Sequence, residues 1–346
     1  MLVEESDIIS AGANAVRGAS TDSAASLVRP TVSVIIVNYN TREMTLKCLR
    51  TIEGALSGIP AEIWLVDNAS TDGSLEAISS QMPCVRIIAN RRNVGFGAAN
   101  NQAMKQATGD FVLLLNTDAF VRHGAVRTLV DLMQANPGIG VAGPRLLNAD
   151  ESLQLSCFRF PSPSHAWMEN LCLTRLFSAG GRLGDYRRWP HDRPREVDWV
   201  VGACMMVRRE AYASVGGFDE RFFMYAEETD WQCRIRVAGW RVHFTPDAQV
   251  IHLGGGSVAG ADSPANEHFF QSLDRYELKH HGVIGWISLR LAMVVGSTMR
   301  AILWAATGAC RPSRRRLAWT KAAFHCRLAL RQATEIPSES RKEPAP

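Results

Sequence analysis

The chain has 346 residues, of which 46% are hydrophobic and 21% are charged, a composition typical of one large or two modest globular domains. Its net charge of +4 is a property of the tail, because residues 311–346 contain nine Lys or Arg and three Asp or Glu, whereas residues 31–310 sum to zero. We therefore expect no nucleic-acid partner for the body of the chain. The eight cysteines show neither zinc-ligand spacing nor a disulfide framework, which favours reduced thiols in a cytoplasmic protein.

Residues 1–30 lack the basic region and apolar core of a signal peptide and are rich in Ala, Ser and small polar residues. We predict that they form a disordered leader.

Apolar strands alternate with helices from residue 31 to residue 119. The helix after the first strand places Leu46, Leu49, Ile52 and Leu56 on one face. This alternation predicts an α/β fold with a doubly wound, mostly parallel sheet flanked by helices. The predicted strands are Thr31–Asn40, "AEIWLVD", Val85–Asn90 and "FVLLLNTDA".

Each of these strands turns polar where it ends. In open α/β sheets the ligand lies outside the carboxyl ends of the strands, so the shared polarity predicts a polar ligand site. No G-x-G-x-x-G follows the first strand and no G-x-x-x-x-G-K-[ST] occurs, which disfavours dinucleotide and P-loop proteins. The polar ends are Asn38–Asn40, Asp67–Asn68, Asn90–Asn93 and Asn116–Asp118.

The second half is less regular. Residues 155–195 show no clear period and are expected to form a mobile acceptor or lid segment. Further along, "EETD" begins a helix, where acidic residues also suit capping. The stretch "RVHFTPDAQVIH" predicts a hairpin-like pair of strands ending at His252.

Seven segments in this order resemble family-2 glycosyltransferases with the GT-A fold, closest to the rhamnosyltransferase-like branch that builds cell-wall and surface polysaccharides. The resemblance covers roughly residues 31–258 and implies a nucleotide-sugar donor. The segments are "SVIIVNYN", "LVDNASTDGS", "NVGFGAANN", "LLLNTDA", "VVGACMMVRRE", "FFMYAEETDWQCRIRVAGW" and "VIHLGGGS".

The resemblance implies a divalent cation, Mn²⁺ or Mg²⁺. "NTD" stands where the family has a D-x-D motif, so Asp118 is the expected metal ligand, and Asn116 replaces the first acidic residue. His252 matches a position that commonly supplies a histidine to the metal. The alternative for His252 is a strand-end side chain bonded to backbone.

Four residues are expected to bind the donor, together with Asn116. By resemblance, Asp67 accepts a hydrogen bond from the pyrimidine, and Asn93 and Gly95 lie beside the nucleotide. Tyr39 can stack on the base. Asp67 could instead form an Asx turn, and Tyr39 could simply cover the sheet edge.

The family inverts configuration at the anomeric carbon and needs a general base for the acceptor hydroxyl. Glu228 occupies the base position, with Glu where Asp is more usual. Glu227 and Asp230 remain alternatives, because they can share a helix face while Glu228 points elsewhere.

We divide the C-terminal part into a helical, membrane-associated region at 259–330 and a disordered tail at 331–346. Segment Gly282–Cys310 is apolar but interrupted by Arg290 and Arg300, and its uncharged stretch is too short to span a bilayer. Since Arg290, Ser297 and Arg300 share one helix side, an amphipathic helix on a membrane surface is expected. The alternative is a helix packed on the catalytic domain.

The leading hypothesis is an inverting glycosyltransferase that moves a sugar, with rhamnose as one candidate, to a lipid-linked or polysaccharide acceptor at the inner face of the cell membrane. Two alternatives stay open. One is a sugar nucleotidyltransferase, and the other is a catalytically inactive carbohydrate-binding protein.

Overall fold

The computed structural model describes residues 31–176, 189–254 and 264–334. Four parts of the predicted organisation lie outside the described residues. They are the leader, residues 177–188 of the acceptor or lid segment, residues 255–263 and residues 335–346 of the tail.

Strands and helices alternate through the first half, as the apolar periodicity predicted. The elements are β1 (Val32–Asn38), α1 (Arg42–Ala55), β2 (Ala61–Asp67), α2 (Ser74–Gln81), β3 (Arg86–Ala89), α3 (Phe96–Met104), β4 (Phe111–Asn116), β5 (Ala119–Val121) and α4 (Ala125–Ala135).

The second half completes the sheet and adds the helices that cover one side of it. Its elements are β6 (Ile139–Leu147), β7 (Leu153–Gln154), β8 (Cys157–Phe158), α5 (Pro163–Asn170), β9 (Arg195–Val197), β10 (Trp199–Val200), β11 (Cys204–Arg208), α6 (Arg209–Val215), α7 (Glu227–Val237), β12 (Arg241–His252), α8 (Pro264–Cys310) and α9 (Arg315–Thr334).

The main sheet has the order β3-β2-β1-β4-β11-β6-β12-β5, with β7 and β9 attached to β6 and β12. The first four strands in this order are parallel, whereas β11 runs antiparallel to both neighbours. This confirms the predicted mostly parallel α/β sheet with a C-terminal helical extension.

Two apolar cores lie on opposite faces of the sheet, because successive strand residues point to opposite sides. In β1, Val34 and Ile36 pack with α1, α2 and α4, while Ile35 packs with α3 and α7. The helices thus clamp both faces of the sheet and leave its carboxyl edge open.

The predicted hairpin at residues 241–252 is wrong. The segment is one twelve-residue strand, parallel to β6, with a register shift between Thr245 and Gln249. Pro246 and Asp247 form a bulge within the strand, where Thr245 Oγ1 accepts a hydrogen bond from the Asp247 N–H at 3.3 Å. A Pro-Asp pair is typical of turns, but pairing on both sides of it keeps the strand continuous.

The C-terminal region is a helical hairpin. Helix α8 is kinked at Gly282, whose φ is +67°, so it consists of a first arm (264–281) and a second arm (283–310). Helix α9 packs back along α8 and continues to Thr334, beyond the predicted boundary at 330. Within the described residues one stretch, His268–Cys310, is long and apolar enough to cross a membrane by length and composition.

Arg290, Ser297 and Arg300 do share one side of the second arm, but this side faces the protein. Arg290 is 8% exposed and Ser297 2% exposed, and Arg300 donates to Asn170 Oδ1 of α5 at 3.2 Å. The outward side of this arm is therefore its apolar side.

Candidate functional site

The polar ends of the parallel strands meet at one edge of the sheet. The register pairs Asn38 with Asp67 and Val37 with Asn116, and it pairs Asp67 with Ala89. This edge opens into a cavity of about 530 Å³, within the range of small-molecule sites. The predicted residues that line it are Tyr39, Asn93, Gly95, Asn116, Asp118, Glu227, Glu228 and His252.

Asp118 and His252 come together although 134 positions separate them in the chain. Strand β5 pairs antiparallel with β12, with Ala119 opposite His252, and the Leu253 N–H donates to the Asp118 carbonyl at 3.0 Å. Asp118 Oδ1 lies 3.3 Å from His252 Nε2. Two ligand atoms about 2.1 Å from an octahedral ion lie about 3.0 Å apart, so the pair fits neighbouring ligand positions.

The other ring nitrogen of His252 is held by Gln154. His252 Nδ1 lies 2.6 Å from Gln154 Oε1, and since an amide oxygen only accepts, Nδ1 carries the proton. In the neutral ring, Nε2 is then free to bind a metal, as a hydrogen bond on the remote nitrogen commonly ensures.

The acid of this pair is ready to bind a cation. Burial opposes ionisation of Asp118, but without a bound cation a protonated His252 supplies a hydrogen bond from Nε2 and a positive charge, which outweigh burial and lower the pKa of Asp118. In the neutral ring, Nε2 has no proton and a cation can lie between the two side chains instead. Across the described residues, no group of three or more His, Cys, Asp or Glu could hold a metal ion. The site thus offers two protein ligands, which suits Mg²⁺ or Mn²⁺ completed by phosphate and water.

Asp67 does not line the cavity. It is 3% exposed, and its carboxylate accepts from Asn38 Nδ2 at 2.7 Å and from the Ser70 N–H at 3.0 Å. An Asx turn would use the N–H two residues on, at Ala69, so this contact with Ser70 is a longer local bond that holds the carboxylate inside the protein. Asp67 therefore shapes the edge, and the neighbouring Asn68 reaches the cavity.

The glycine-rich loop is fixed against the segment that precedes α7. Gly95 has φ +87°, and a Cβ there would lie 2.7 Å from the Phe223 carbonyl oxygen, so only glycine fits. The Phe96 N–H donates to this carbonyl at 3.0 Å, and Asn93 Oδ1 accepts from Asn68 Nδ2 at 2.8 Å. The glycine-rich loop and the segment before α7 thus form one connected part of the cavity wall.

Glu227 and Glu228 both face the cavity from the first turn of α7. One carboxylate oxygen of each is buried and has no hydrogen-bond partner. Burial raises the pKa of Glu227 well above its usual range, and the neighbouring Glu228 charge raises it further. Burial also raises the pKa of Glu228, against backbone N–H groups that stabilise the anion. A raised pKa makes an ionised carboxylate a stronger base toward a hydroxyl proton.

Asp230, the third candidate, is absent from the cavity wall. It is completely buried and lies 2.7 Å from Lys279 Nζ, 2.8 Å from His280 Nε2 and 3.0 Å from Arg234 Nε. These cations hold its pKa below the usual range despite burial. Its position makes it a link between α7 and α8.

Some wall residues had no role assigned from the sequence. Asn68 and Thr117 belong to the predicted polar strand ends and line the cavity, although only their neighbours were expected to bind a ligand. Tyr225 and Gly202 gave no signal, because only the packing of α7 against residues 201–203 brings them to the site. Tyr225 and Ala226 have φ of +67° and +60°, a strained pair of a kind that clusters at functional sites.

Comparison with known proteins identifies the family and the fold of this chain. The model of "Glycosyl transferase family 2" matches residues 33–216. An N-acetylglucosaminyl-diphospho-decaprenol L-rhamnosyltransferase of Mycobacterium tuberculosis is 33% identical over 207 residues, covering 56% of this chain and 66% of the relative. Rhamnosyltransferase WbbL of Escherichia coli is 28% identical over 205 residues, covering 54% of this chain and 67% of the relative. The chain thus spans just under two thirds of the first relative's length.

Among solved structures, the mannosyltransferase PcManGT from Pyrobaculum calidifontis, in complex with GDP-Man and Mn²⁺, has a TM-score of 0.51 at 19% identity. The alignment covers 89% of this chain and 88% of that one. This likeness concerns the fold and confirms the predicted GT-A architecture. Because the family match covers more than half of the chain, including the four parallel strands whose ends meet at the cavity, the chain belongs to glycosyl transferase family 2.

Proposed function

We propose that this protein is an inverting, metal-dependent glycosyltransferase that moves a sugar from a nucleotide-sugar donor to a lipid-linked or polysaccharide acceptor. The observation that carries this proposal is that one cavity receives the Asp118 and His252 side chains, whose 3.3 Å spacing suits a cation, and Glu228, a carboxylate with raised pKa. The relatives named above make rhamnose the first sugar to test.

The donor would lie along the carboxyl edge of the sheet. Tyr39 is 50% exposed at the cavity wall, so its ring is available to stack on a base. Asn68, Asn93 and Asn116 offer amide groups for ribose and base. Asp118 and His252 would hold the cation, which would neutralise charge developing on the nucleoside diphosphate leaving group.

Glu228 is the proposed base. It would take the proton of the acceptor hydroxyl as the acceptor oxygen bonds to the anomeric carbon. The bond from that carbon to the phosphate oxygen breaks on the opposite side, and the nucleoside diphosphate leaves. A single displacement of this kind inverts the anomeric configuration.

We further propose that the protein works in the cytoplasm at the inner face of the cell membrane. The support is a relative whose name places its acceptor sugar on diphospho-decaprenol, a lipid carrier. An acceptor of this kind would require the cavity to lie close to the bilayer.

A donor panel tests the reaction. Purified full-length protein is incubated with dTDP-rhamnose and with common UDP- and GDP-sugars, and free nucleoside diphosphate is measured with Mn²⁺, Mg²⁺ or EDTA. We expect release from one donor, its loss with EDTA and its loss in Asp118→Ala. The matched control Asp131→Ala, at an exposed position on α4, should behave as wild type.

The same panel separates the alternatives. Pyrophosphate release from a nucleoside triphosphate would favour a nucleotidyltransferase. Calorimetric donor or glycan binding without turnover, even with a polyprenyl-diphosphate sugar added, would favour an inactive binding protein. Equal turnover with and without EDTA would contradict the metal-dependent mechanism.

A further inference from the structure

The second arm of α8 is built with its polar side toward the protein. Arg290 Nε donates to Asp274 Oδ1 at 2.9 Å, and its Nη1 donates to the Gln332 carbonyl of α9 at 3.1 Å. Ser297 is buried on the same side. A helix on a soluble surface normally shows the reverse arrangement, with its apolar side inward.

The outward side of this arm is a continuous apolar stripe, which we call the outer stripe. Its members are spaced three or four positions apart and extend over about 28 Å of helix. Long exposed apolar surfaces of this kind mark interaction sites. The members and their exposed fractions are Ile284 84%, Ile287 45%, Leu291 53%, Val295 38%, Met299 43% and Leu303 64%.

The charge around the outer stripe is of one sign. Residues 282–334 contain nine Lys or Arg and no Asp or Glu. Four of these are exposed at the turn between α8 and α9, and we call them the arginine turn: Arg311, Arg314, Arg315 and Arg316. Trp319, which is 49% exposed, follows them on α9. A second copy of the chain would bring like charges together, whereas an anionic lipid surface complements them.

The arm lies against the catalytic domain along its middle. Trp167 Nε1 of α5 donates to Ser288 Oγ at 3.0 Å, and Ala166 packs with Leu289 and Ala292. Because α5 occupies this side, hydrocarbon cannot surround the helix, so a flat position at the interface fits better than a span.

We propose that the outer stripe and the arginine turn form a docking surface for an anionic bilayer, with the stripe inserted among the acyl chains and the arginines on headgroup phosphates. The first arm connects this surface to the site. Ser272 Oγ donates to the Met224 carbonyl at 2.8 Å in the cavity wall, and Lys279 and His280 contact Asp230 of α7. Docking would hold the cavity at a fixed height for a lipid-linked acceptor, a consequence that rests on the proposed function; the docking itself does not.

Vesicle cosedimentation of the full chain tests the docking, without donor present. The probes are vesicles of phosphatidylcholine alone and of an equal mixture of phosphatidylcholine and phosphatidylglycerol. We expect wild type to bind the anionic vesicles. The double variant Leu291→Gln/Val295→Gln should lose at least about tenfold in partitioning, because both side chains leave the inserted surface. Val237→Gln, at a residue that is 84% exposed on α7, is the matched control and should bind as wild type.

A charge variant tests the contribution of the arginine turn to vesicle binding. Arg314→Gln/Arg315→Gln/Arg316→Gln should lose about a hundredfold on anionic vesicles, at roughly 1 kcal/mol per arginine, and nothing on phosphatidylcholine alone. Unchanged melting temperature and unchanged vesicle-free donor turnover would show that these variants are folded.

Two outcomes would overturn the proposal. Wild type that stays in solution with anionic vesicles, or a stripe variant that binds as wild type does, removes the docking surface. Light scattering that shows a wild-type dimer and a monomeric stripe variant, without vesicle binding, would assign the stripe to a second copy instead. Donor turnover is measured separately, so failure of docking and failure of the reaction are distinguishable.

Discussion

The cavity contains three carboxyl side chains whose pKa values the surrounding protein shifts, namely Asp118, Glu227 and Glu228. Glu227 and Glu228 place two carboxyls side by side at the cavity, each with an unpartnered oxygen. Asp118 Oδ1 and His252 Nε2 lie 3.3 Å apart, and a hydrogen bond to Gln154 orients the imidazole ring. The raised pKa values of Glu227 and Glu228 mean that these two carboxyls destabilise the fold when ionised, which is common for groups at functional sites.

The first prediction concerns the base. Glu228→Gln should lower kcat by about a hundredfold or more while donor KM stays nearly constant, because the amide cannot accept the hydroxyl proton. Glu227→Gln should cost less. Steady-state kinetics with a fixed donor and acceptor measure both. A larger kcat loss in Glu227→Gln would move the base to that residue.

The second prediction concerns how far the buried carboxyl of Glu227 lowers the free energy of unfolding. A carboxyl whose folded pKa is raised destabilises the fold at pH values above its unfolded pKa, about 4.3 for Glu. Glu227→Gln should therefore raise the melting temperature at neutral pH, and the gain should vanish as the pH falls below this value. Differential scanning calorimetry across pH measures it. A variant less stable than wild type at neutral pH would contradict the role of burial.

At the scale of elements, α7 carries the acidic residues and is fixed on two sides. Gln232 bonds the Val200 N–H at 2.9 Å and the Val200 carbonyl at 2.7 Å, which ties α7 to β10. Asp230 ties it to the first arm of α8 through Lys279 and His280. The C-terminal hairpin is thus part of the support of the site.

The third prediction uses His280. Burial lowers its pKa, but hydrogen bonds to Asp230 and Cys233 outweigh this and raise the pKa to about 9. A histidine with raised pKa contributes stability fully below its unfolded pKa, about 6.5, and loses it as pH rises through about 9. Thermal unfolding of wild type and His280→Gln should therefore converge above this pH. Parallel curves at every pH would refute the charged link.

The fourth prediction uses the buried pair between Arg290 and Asp274, whose side chains are 10% and 7% exposed. Arg290→Ala leaves Asp274 buried without its cation and should destabilise the hairpin by about 3–5 kcal/mol. Arg290→Met/Asp274→Asn should recover much of this. Arg127→Ala, from an exposed pair, should cost less than about 1 kcal/mol. Chemical denaturation followed by circular dichroism compares them, and equal losses in both single variants would reject the argument.

At the scale of the whole molecule, an α/β catalytic unit has a cationic helical hairpin attached beside its acidic helix. The cavity opens at the sheet edge, and the outer stripe faces away from the protein. In the proposed arrangement, glycosyl transfer takes place in the cavity at the sheet edge, and the C-terminal helical hairpin holds the protein on the membrane surface.

The fifth prediction concerns ligand binding by the folded chain. Mn²⁺ together with UDP, dTDP or GDP should raise the melting temperature by several degrees for the correct nucleotide, since a ligand at about a hundred times its Kd adds about 2.7 kcal/mol. Asp118→Asn should lose the metal-dependent part, and Asp131→Asn should keep it. Equal shifts with EDTA would mean that the nucleotide binds without a cation.

The alternation of strands and helices and the polar carboxyl edge could be predicted from the sequence, since apolar periodicity and strand-end polarity are local properties. The family followed from the resemblance of seven segments in their order along the chain. Three features of the structure depend on tertiary packing and could not be predicted from local patterns. Pairing on both sides kept residues 241–252 one strand through a Pro-Asp bulge. Hydrogen bonds from Asn38 and from the Ser70 N–H hold the Asp67 carboxylate inside the protein, and the neighbouring Asn68 lines the cavity.

The third feature is which side of the second arm of α8 faces the protein. Periodicity showed that Arg290, Ser297 and Arg300 share one side, but a period cannot tell which side meets the protein. Asp274, 16 positions away across the kink in α8, binds Arg290, and Asn170, 130 positions away on α5, binds Arg300, so the apolar side faces outward. Only the packed fold brings such partners together, and it is this packing that made the outer stripe visible.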